Sequence, residues 1–416
     1  MPAPTSPSSR RGLVLLAAFL GWMFDGLEMG IFPLIARPAL QEMQAASGVV
    51  DDRFVGQWMG IITALFLLGA AGGGLVFGWL GDRVGRVRAM SLAILCYSVF
   101  TGLAYFAQSP WQLGALRFIA ALGMGGEWSL GVALVMEVWP QKHRPLLAGV
   151  IGAAANVGFA LIAIVGMSFA VTQETWRYVV LVGAVPALLT FIIRLFVPES
   201  EKWEQAAAAG PIRPIREILS NWPILRPTLL AILLTGVALI GTWGSVQWLP
   251  LWADQMAGPD APKAKAYTQA LSAVGSVVGC LAGAWLGGLL GRRPAYFLLC
   301  FGSLASCAWL FRGIDAYGSA FLALTFAVGA ITAAFYGWLP LYLPELFPTR
   351  VRATAQGVAF NAGRIFAAIG ALQMGALMQT FDGSYARAGA VISLVYVAGL
   401  ALIWLVPETK GRPLPE

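Results

Sequence analysis

Apolar stretches of membrane-spanning length recur along the whole chain. Charge-free runs extend from Phe54 to Gly81, Pro145 to Gln173, Pro227 to Ala253, Ala266 to Gly291 and Ala316 to Pro344, and a bilayer core about 30 Å thick needs about 20 apolar residues per helix. Divided at its polar, proline and glycine positions, the pattern predicts twelve spanning helices, at 13–35, 55–80, 89–108, 112–137, 146–170, 177–197, 227–252, 267–290, 294–312, 317–343, 353–379 and 385–406. Residues 199–226 break the pattern, being charged, proline-rich and partly helical. The expected organisation is an N-terminal six-helix half (1–198), a linker (199–226) and a C-terminal six-helix half (227–416), an all-α polytopic fold.

The two halves answer each other. Gly85-Arg86 recurs as Gly291-Arg292, Glu137-Val-Trp-Pro-Gln-Lys-His-Arg144 as Glu345-Leu-Phe-Pro-Thr-Arg-Val-Arg352, and Pro198-Glu199-Ser200 as Pro407-Glu408-Thr409, at offsets of 206 to 209 residues. A repeat of that length in the same orientation requires an even number of helices per half. In the eighth span Gly275, Gly279, Gly283, Gly287 and Gly291 form a ladder on one face, which predicts close helix packing or a sliding surface.

Composition agrees: 58% of residues are hydrophobic and 11% charged, against roughly 25% charged in soluble domains. The net charge of +7 is read by sidedness rather than as a nucleic-acid footprint. Of 27 Lys and Arg, seventeen fall in the N-terminus, alternate short loops, the linker and the C-terminal tail. The positive-inside rule then predicts a multi-pass inner-membrane protein with both termini cytoplasmic. Ser9-Arg10-Arg11 precedes an apolar run, but the run continues through Asp25 and Glu28 to Ala36, which predicts an uncleaved first helix rather than a signal peptide. Cys96, Cys280, Cys300 and Cys307 have neither metal-ligand nor redox spacing, and His143 is the only histidine. No metal or cofactor is expected. Gly123-Met-Gly-Gly and Gly69-Ala-Ala-Gly-Gly-Gly lie inside membrane runs, a context unlike that of nucleotide-binding loops.

The loop Gly78-Trp-Leu-Gly-Asp82-Arg83-Val-Gly85-Arg86-Val-Arg88 closely resembles the signature loop of the major facilitator superfamily. In that family an acid and several bases at this junction form a charge network that latches the halves. The resemblance therefore assigns Asp82, Arg83, Arg86, Glu137, Arg144, Glu345 and Arg352 to gating. Gly288 and Leu289 stand where the second copy would carry its acid and base, so an asymmetric latch is expected. Glu137 to Arg144, Pro198-Glu-Ser-Glu-Lys-Trp203 and Pro407-Glu-Thr-Lys-Gly-Arg412 are similar to the sugar-porter branch and its organic-acid symporter relatives. Arg117 to Glu127, followed by Trp128, resembles the fourth helix of organic-acid and aromatic-acid proton symporters, with Ala121 where a glycine is usual. The seventh span, Gly241-Thr-Trp243-Gly-Ser-Val-Gln247-Trp248, lacks the paired glutamines and asparagine of sugar porters, which argues against hexoses.

Ionisable groups within the membrane are costly and usually mark a partner, a cavity or a proton path. Asp25 and Glu28 share a face of the first helix, and Arg117 in the fourth is expected to pair with one or both. These three, with Glu127, are the proton-coupling candidates. Arg364, near mid-membrane in the eleventh helix, is the candidate for a substrate carboxylate, with pairing to Glu127 as its alternative. Asn361 and its repeat counterpart Asn156, with Gln247, Trp243 and Tyr336, are further substrate-binding candidates; Trp248 and Trp338 extend the same aromatic wall. The expectation is a monomeric secondary transporter in the lipid bilayer that carries a small organic anion with protons. Drug or metabolite export by proton antiport and sugar symport are the alternatives. No ATPase motif, intramembrane nucleophile or added signalling domain supports an enzyme or a receptor.

Overall fold

The computed structural model describes residues 7–45, 52–168, 171–186, 188, 189, 193, 196–257, 263–382 and 384–416. No strand occurs among them. Ten helices among the described residues are long and apolar enough to cross a membrane, and they follow the predicted order. Five are α1 (Pro7–Ala45), α2 (Asp52–Val84), α3 (Arg86–Leu103), α4 (Pro110–Val138) and α5 (Arg144–Ser168); the other five fall in the second repeat, where the long helix Arg352–Thr380 stands beside them and is not counted among the ten. The sixth predicted span is described only in part, as α6 (Trp176–Val182); Arg194 lies outside the described residues. Residues 199–226 carry two short helices, α7 (Glu201–Ala208) and α8 (Pro214–Ser220).

The second repeat begins with α9 (Trp222–Gly244), a 3₁₀ turn at Val246–Trp248 and α10 (Leu249–Ala257). One continuous helix was expected here. Pro250 cannot supply the N–H that residue 246 would accept, and its ring crowds that carbonyl, so the span breaks at Ser245, whose hydroxyl donates to the Gly241 carbonyl at 2.5 Å. Next come α11 (Ala264–Leu290), α12 (Arg292–Gly313), α13 (Ser319–Leu346) and α14 (Arg352–Thr380). The last span is divided into α15 (Tyr385–Ile392) and α16 (Val395–Leu402).

α1, at 39 residues, is ~58 Å long at 1.5 Å per residue and overruns its predicted ends. The prediction stopped at polar residues, but a helix leaving the membrane has no reason to unwind where charge begins. Large apolar side chains such as Phe301 and Trp309 stay exposed, 57% and 66%, while the charges lie inside, as expected when the surrounding solvent is lipid.

Repeat symmetry governs packing. α2 lies on α4 as α11 lies on α13, α1 on α5 as α9 on α14, and the repeats meet along α2–α14 and α5–α11. The glycine ladder belongs to the α11–α13 contact inside the second repeat. A Cβ at Gly279 would meet the Ala330 carbonyl oxygen at 1.8 Å, and one at Gly283 the Ala334 oxygen at 2.1 Å. That face is a fixed packing surface rather than the seam between repeats.

Gly279→Ala should therefore cost about 1 to 3 kcal/mol through overpacking and lower the thermal midpoint in detergent. Gly236→Ala, where a Cβ meets nothing within 4 Å, should leave the midpoint nearly unchanged; equal effects would contradict the packing argument.

Candidate functional site

Two polar clusters are buried in this apolar frame. The first lies at mid-membrane and draws on α1, α4, α13 and α14. Asp25, Glu127 and Arg364 are 0%, 2% and 3% exposed. The carboxyls of Asp25 and Glu127 face each other, and none of their four oxygens has a donor. A hydrogen bond between them requires a proton held by one of the two. Arg364 sits within electrostatic reach of Asp25 and of the Tyr336 hydroxyl, yet its Nε and Nη1 have no hydrogen-bond partner.

An aromatic wall encloses this group. Trp128 and Phe360 stack at 3.9 Å and 13° across the seam between repeats. Trp22 meets both edge-on, at 6.4 and 6.1 Å, and Tyr336 meets Phe360 at 6.4 Å. The Arg364 guanidinium lies 5.7 Å from the Phe360 ring centre, in cation–π range. Trp22, Trp128 and Phe360 were not among the sequence candidates. Their signal was position: Trp22 stands three residues before Asp25, Trp128 follows Glu127, and Phe360 stands four before Arg364. Aromatics in membrane helices are otherwise too common to single out.

Arg117 pairs with Glu28 rather than Asp25, at 2.8 Å. Thr101 donates to the same carboxylate at 3.0 Å, and Phe66 and Phe32 face the guanidinium at 4.7 and 5.1 Å. The four charged candidates thus divide into an Arg117–Glu28 pair and an Asp25–Glu127 pair. Asn361 donates through Nδ2 to the Gly125 and Gly357 carbonyls at 2.8 and 2.9 Å, and its Oδ1 has no partner among the described residues. It holds α14 against α4. Its counterpart Asn156 donates to Cys280 Sγ at 3.9 Å across the other seam. Gln247 is exposed in the turn after α9 and has no polar partner among the described residues, because the break at Ser245 carries it away from the helix axis. Trp243 is partly buried against the general core.

The second cluster closes the face that carries both chain ends, where Arg11 and Arg412 carbonyls accept from Trp139 and Gln141 at 3.2 and 3.0 Å. Three repeated motifs converge there. Glu199 accepts the backbone N–H groups of Arg86 and Val87 at the start of α3, and Glu408 does the same for Arg292 and Arg293 at the start of α12. Each helix is preceded by a glycine at positive φ, Gly85 at 116° and Gly291 at 103°, where a side chain would be strained and would run into that carboxylate. Burial pushes the Glu199 carboxyl above its ordinary range, more than its backbone donors lower it. At Glu408 burial also raises, but four backbone N–H donors together hold the carboxyl below the usual value.

The following hydroxyls, Ser200 and Thr409, donate to Glu137 and Glu345. Glu345 takes Arg292 in a two-pronged pair, 2.6 and 2.9 Å. Glu137 accepts from Arg86 at 3.2 Å within its own repeat and from Arg352 at 2.7 Å across the seam. Asp82 pairs with Arg86 at 2.8 Å and caps the other repeat: Ala353 and Thr354 N–H donate to it at 3.1 and 2.8 Å, and the Thr354 hydroxyl at 2.6 Å. An anionic carboxylate on the first turn of a helix is favourable by charge and by hydrogen bonding.

The opposite seam lacks this clasp. Gly288 replaces the acid, and α5 presents Pro145 where α14 presents Ala353; proline has no N–H to donate, and a Cβ at Gly288 would meet the Pro145 ring at 2.9 Å. Arg144, the counterpart of Arg352, lies near Glu345, but its Nε and Nη1 have no partner. Arg83 stands outside the network, exposed over the Trp79 ring at 5.2 Å.

The Major Facilitator Superfamily model matches residues 14–371. The chain belongs to this superfamily. Among curated major facilitator relatives, a probable 4-methylmuconolactone transporter of Cupriavidus pinatubonensis is 30% identical, covering 95% of this chain and 90% of that protein. The cis,cis-muconate transport protein of Acinetobacter baylyi is 28% identical, covering 96% and 95%. In fold, the chain matches the proton:xylose symporter XylE of E. coli with a TM-score of 0.80 at 19% identity, over 98% of both chains. It is a major facilitator transporter and not an enzyme.

If the Asp82 clasp holds this face closed, Asp82→Ala should shift the equilibrium by about 1 kcal/mol, the typical worth of a helix cap, or about fivefold. Cys280, buried between Gly152 and Ala333 at 3.3 Å from each carbonyl oxygen, provides the readout. Its alkylation by N-ethylmaleimide, mapped by mass spectrometry, should accelerate by that factor in the variant; an unchanged rate would show that the clasp does not limit opening.

Proposed function

We propose that this transporter carries a small organic anion, a ring or unsaturated carboxylate, together with protons by alternating access. We place it in a bacterial inner membrane as a monomer with both termini cytoplasmic. The observation that carries the reading is Arg364. A buried guanidinium with unmade hydrogen bonds is expensive, and its planar fork suits a carboxylate. The Trp22–Trp128–Phe360–Tyr336 wall offers an apolar surface for a flat substrate body. The Asp25–Glu127 pair, with no donor of its own, gives a proton a place to reside beside the anion. The muconate and methylmuconolactone named for the relatives are of this chemical kind. The concentration of Arg and Lys in the alternate loops favours the stated sidedness.

In the proposed cycle the anion neutralises Arg364, the carboxyl pair carries the proton, and the halves part first on one face and then on the other. The residues 1–198 and 227–416 move as the two bodies in this scheme, with 199–226 between them.

Proteoliposomes reporting internal pH should acidify when muconate or an aromatic acid is added outside, and should not respond to xylose or a cationic drug. Acidification with xylose alone would overturn the substrate assignment. Arg364→Ala should lower carboxylate uptake about a hundredfold, as loss of one partner from a buried charged pair does. Arg364→Lys, which keeps charge without the fork, should fall between. Asp25→Asn should keep carboxylate exchange but lose proton movement; a variant still coupled would remove Asp25 from the proton path.

A further inference from the structure

The arginines outside the closing network are unevenly placed. Arg83 at the end of α2, Arg213 ahead of α8 and Arg216 within it line one groove of about 570 Å³, together with Trp79, Ile212 and Ile215. All three arginines are exposed, and among the described residues none has a carboxylate partner. Of the acids beside these arginines in sequence, Asp82 pairs with Arg86 and Glu217 with Arg350 at 3.2 Å, and no acid is among the lining residues of the groove. The groove therefore gathers three cations and no counter-charge.

Its rim is apolar in a directional way. Ile215 and Leu219 stand one helical turn apart on α8, and Trp222 opens α9 after the extended Asn221; they are 41%, 65% and 64% exposed. An exposed apolar stripe beside exposed arginines, at the end of a membrane-spanning helix, has the form of an element lying in the bilayer interface. Water would leave the stripe unsatisfied, and hydrocarbon would strand the arginines. The boundary between headgroups and acyl chains suits both.

We propose that this groove binds the headgroup phosphate of an anionic phospholipid. The phosphate meets the Arg83, Arg213 and Arg216 guanidinium groups, and the acyl chains run along Trp79 and the exposed Ile215 and Leu219 of α8. The lipid thereby joins the end of α2 to the linker. Arg350 already ties that linker to the start of α14 through Glu217 and the Ala206 and Pro211 carbonyls, at 3.1 and 2.9 Å for the latter two. A filled groove thus braces the same seam that Asp82 clasps. The proposal does not depend on substrate or coupling ion.

Native mass spectrometry of the full chain in detergent, with phosphatidylglycerol or phosphatidylcholine added, tests it. Wild type should retain phosphatidylglycerol in preference to phosphatidylcholine. The double variant Arg213→Gln/Arg216→Gln should lose that preference by about fivefold per arginine, the attraction expected of each basic group at an anionic surface. Arg312→Gln, an exposed arginine at the end of α12, should keep it, and an unchanged thermal midpoint in phosphatidylcholine would show that the double variant remains folded. Undiminished phosphatidylglycerol retention in the double variant would overturn the site. Displacement of the lipid by inorganic phosphate at millimolar concentration would assign the groove to free anions, and displacement by a poly-glutamate peptide to an acidic protein segment; either would overturn the lipid proposal.

Discussion

The closed face of this protein depends on one physical circumstance: two carboxylates of the first repeat, Asp82 and Glu137, find their remaining hydrogen-bond donors in the second. Each is fully buried with Arg86, so each is already compensated within its own repeat. What crosses the seam is surplus capacity, Asp82 onto the first turn of α14 and Glu137 onto Arg352. When such a contact breaks, both carboxylates keep Arg86, and Arg352 keeps the Pro344, Phe347 and Pro415 carbonyls. A permanent inter-repeat ion pair lacking local partners would be too costly to separate in every cycle.

The mid-membrane cluster follows the opposite logic. There the groups are under-satisfied where they stand, with Arg364, Asp25 and Glu127 all short of partners. The carboxylates at the face all have donors whereas Asp25 and Glu127 at the centre have none, a contrast that separates scaffold from site although both are buried. The same contrast distinguishes Glu28, one oxygen of which accepts from Arg117 and Thr101, from Asp25 and Glu127, whose oxygens have no donor.

Much of this could be read from the sequence because the membrane penalises charge. Asp25, Glu28, Arg117, Glu127 and Arg364 stand out in apolar runs whatever their partners, and the motif pairs repeat at a constant offset. Partner choice could not be read. Whether Arg117 meets Asp25 or Glu28 depends on rotation and depth of two helices, to which a three-residue spacing is blind. Asn361 stands out as polar and mid-membrane, but that its amide nitrogen satisfies the Gly125 carbonyl of a neighbouring helix while its oxygen stays unpartnered depends on helix packing that the sequence does not show. The Trp128–Phe360 stack joins residues more than two hundred positions apart, and nothing local to either residue announces the other. The break at Ser245 was legible in principle from Pro250, but a proline five residues on is often absorbed as a kink.

The Pro145–Gly288 contact gives the pseudo-symmetric molecule a grain. Its two seams descend from the same pattern, but at the closed face one fastens with donors and acceptors while the other sets carbon against carbon. At this contact there is no bond to break and none to remake, the hydrogen bonds of that seam lying deeper, at Asn156, Gly152 and Cys280, so it can turn under load while its twin unfastens. Symmetry in the backbone is thereby converted into direction.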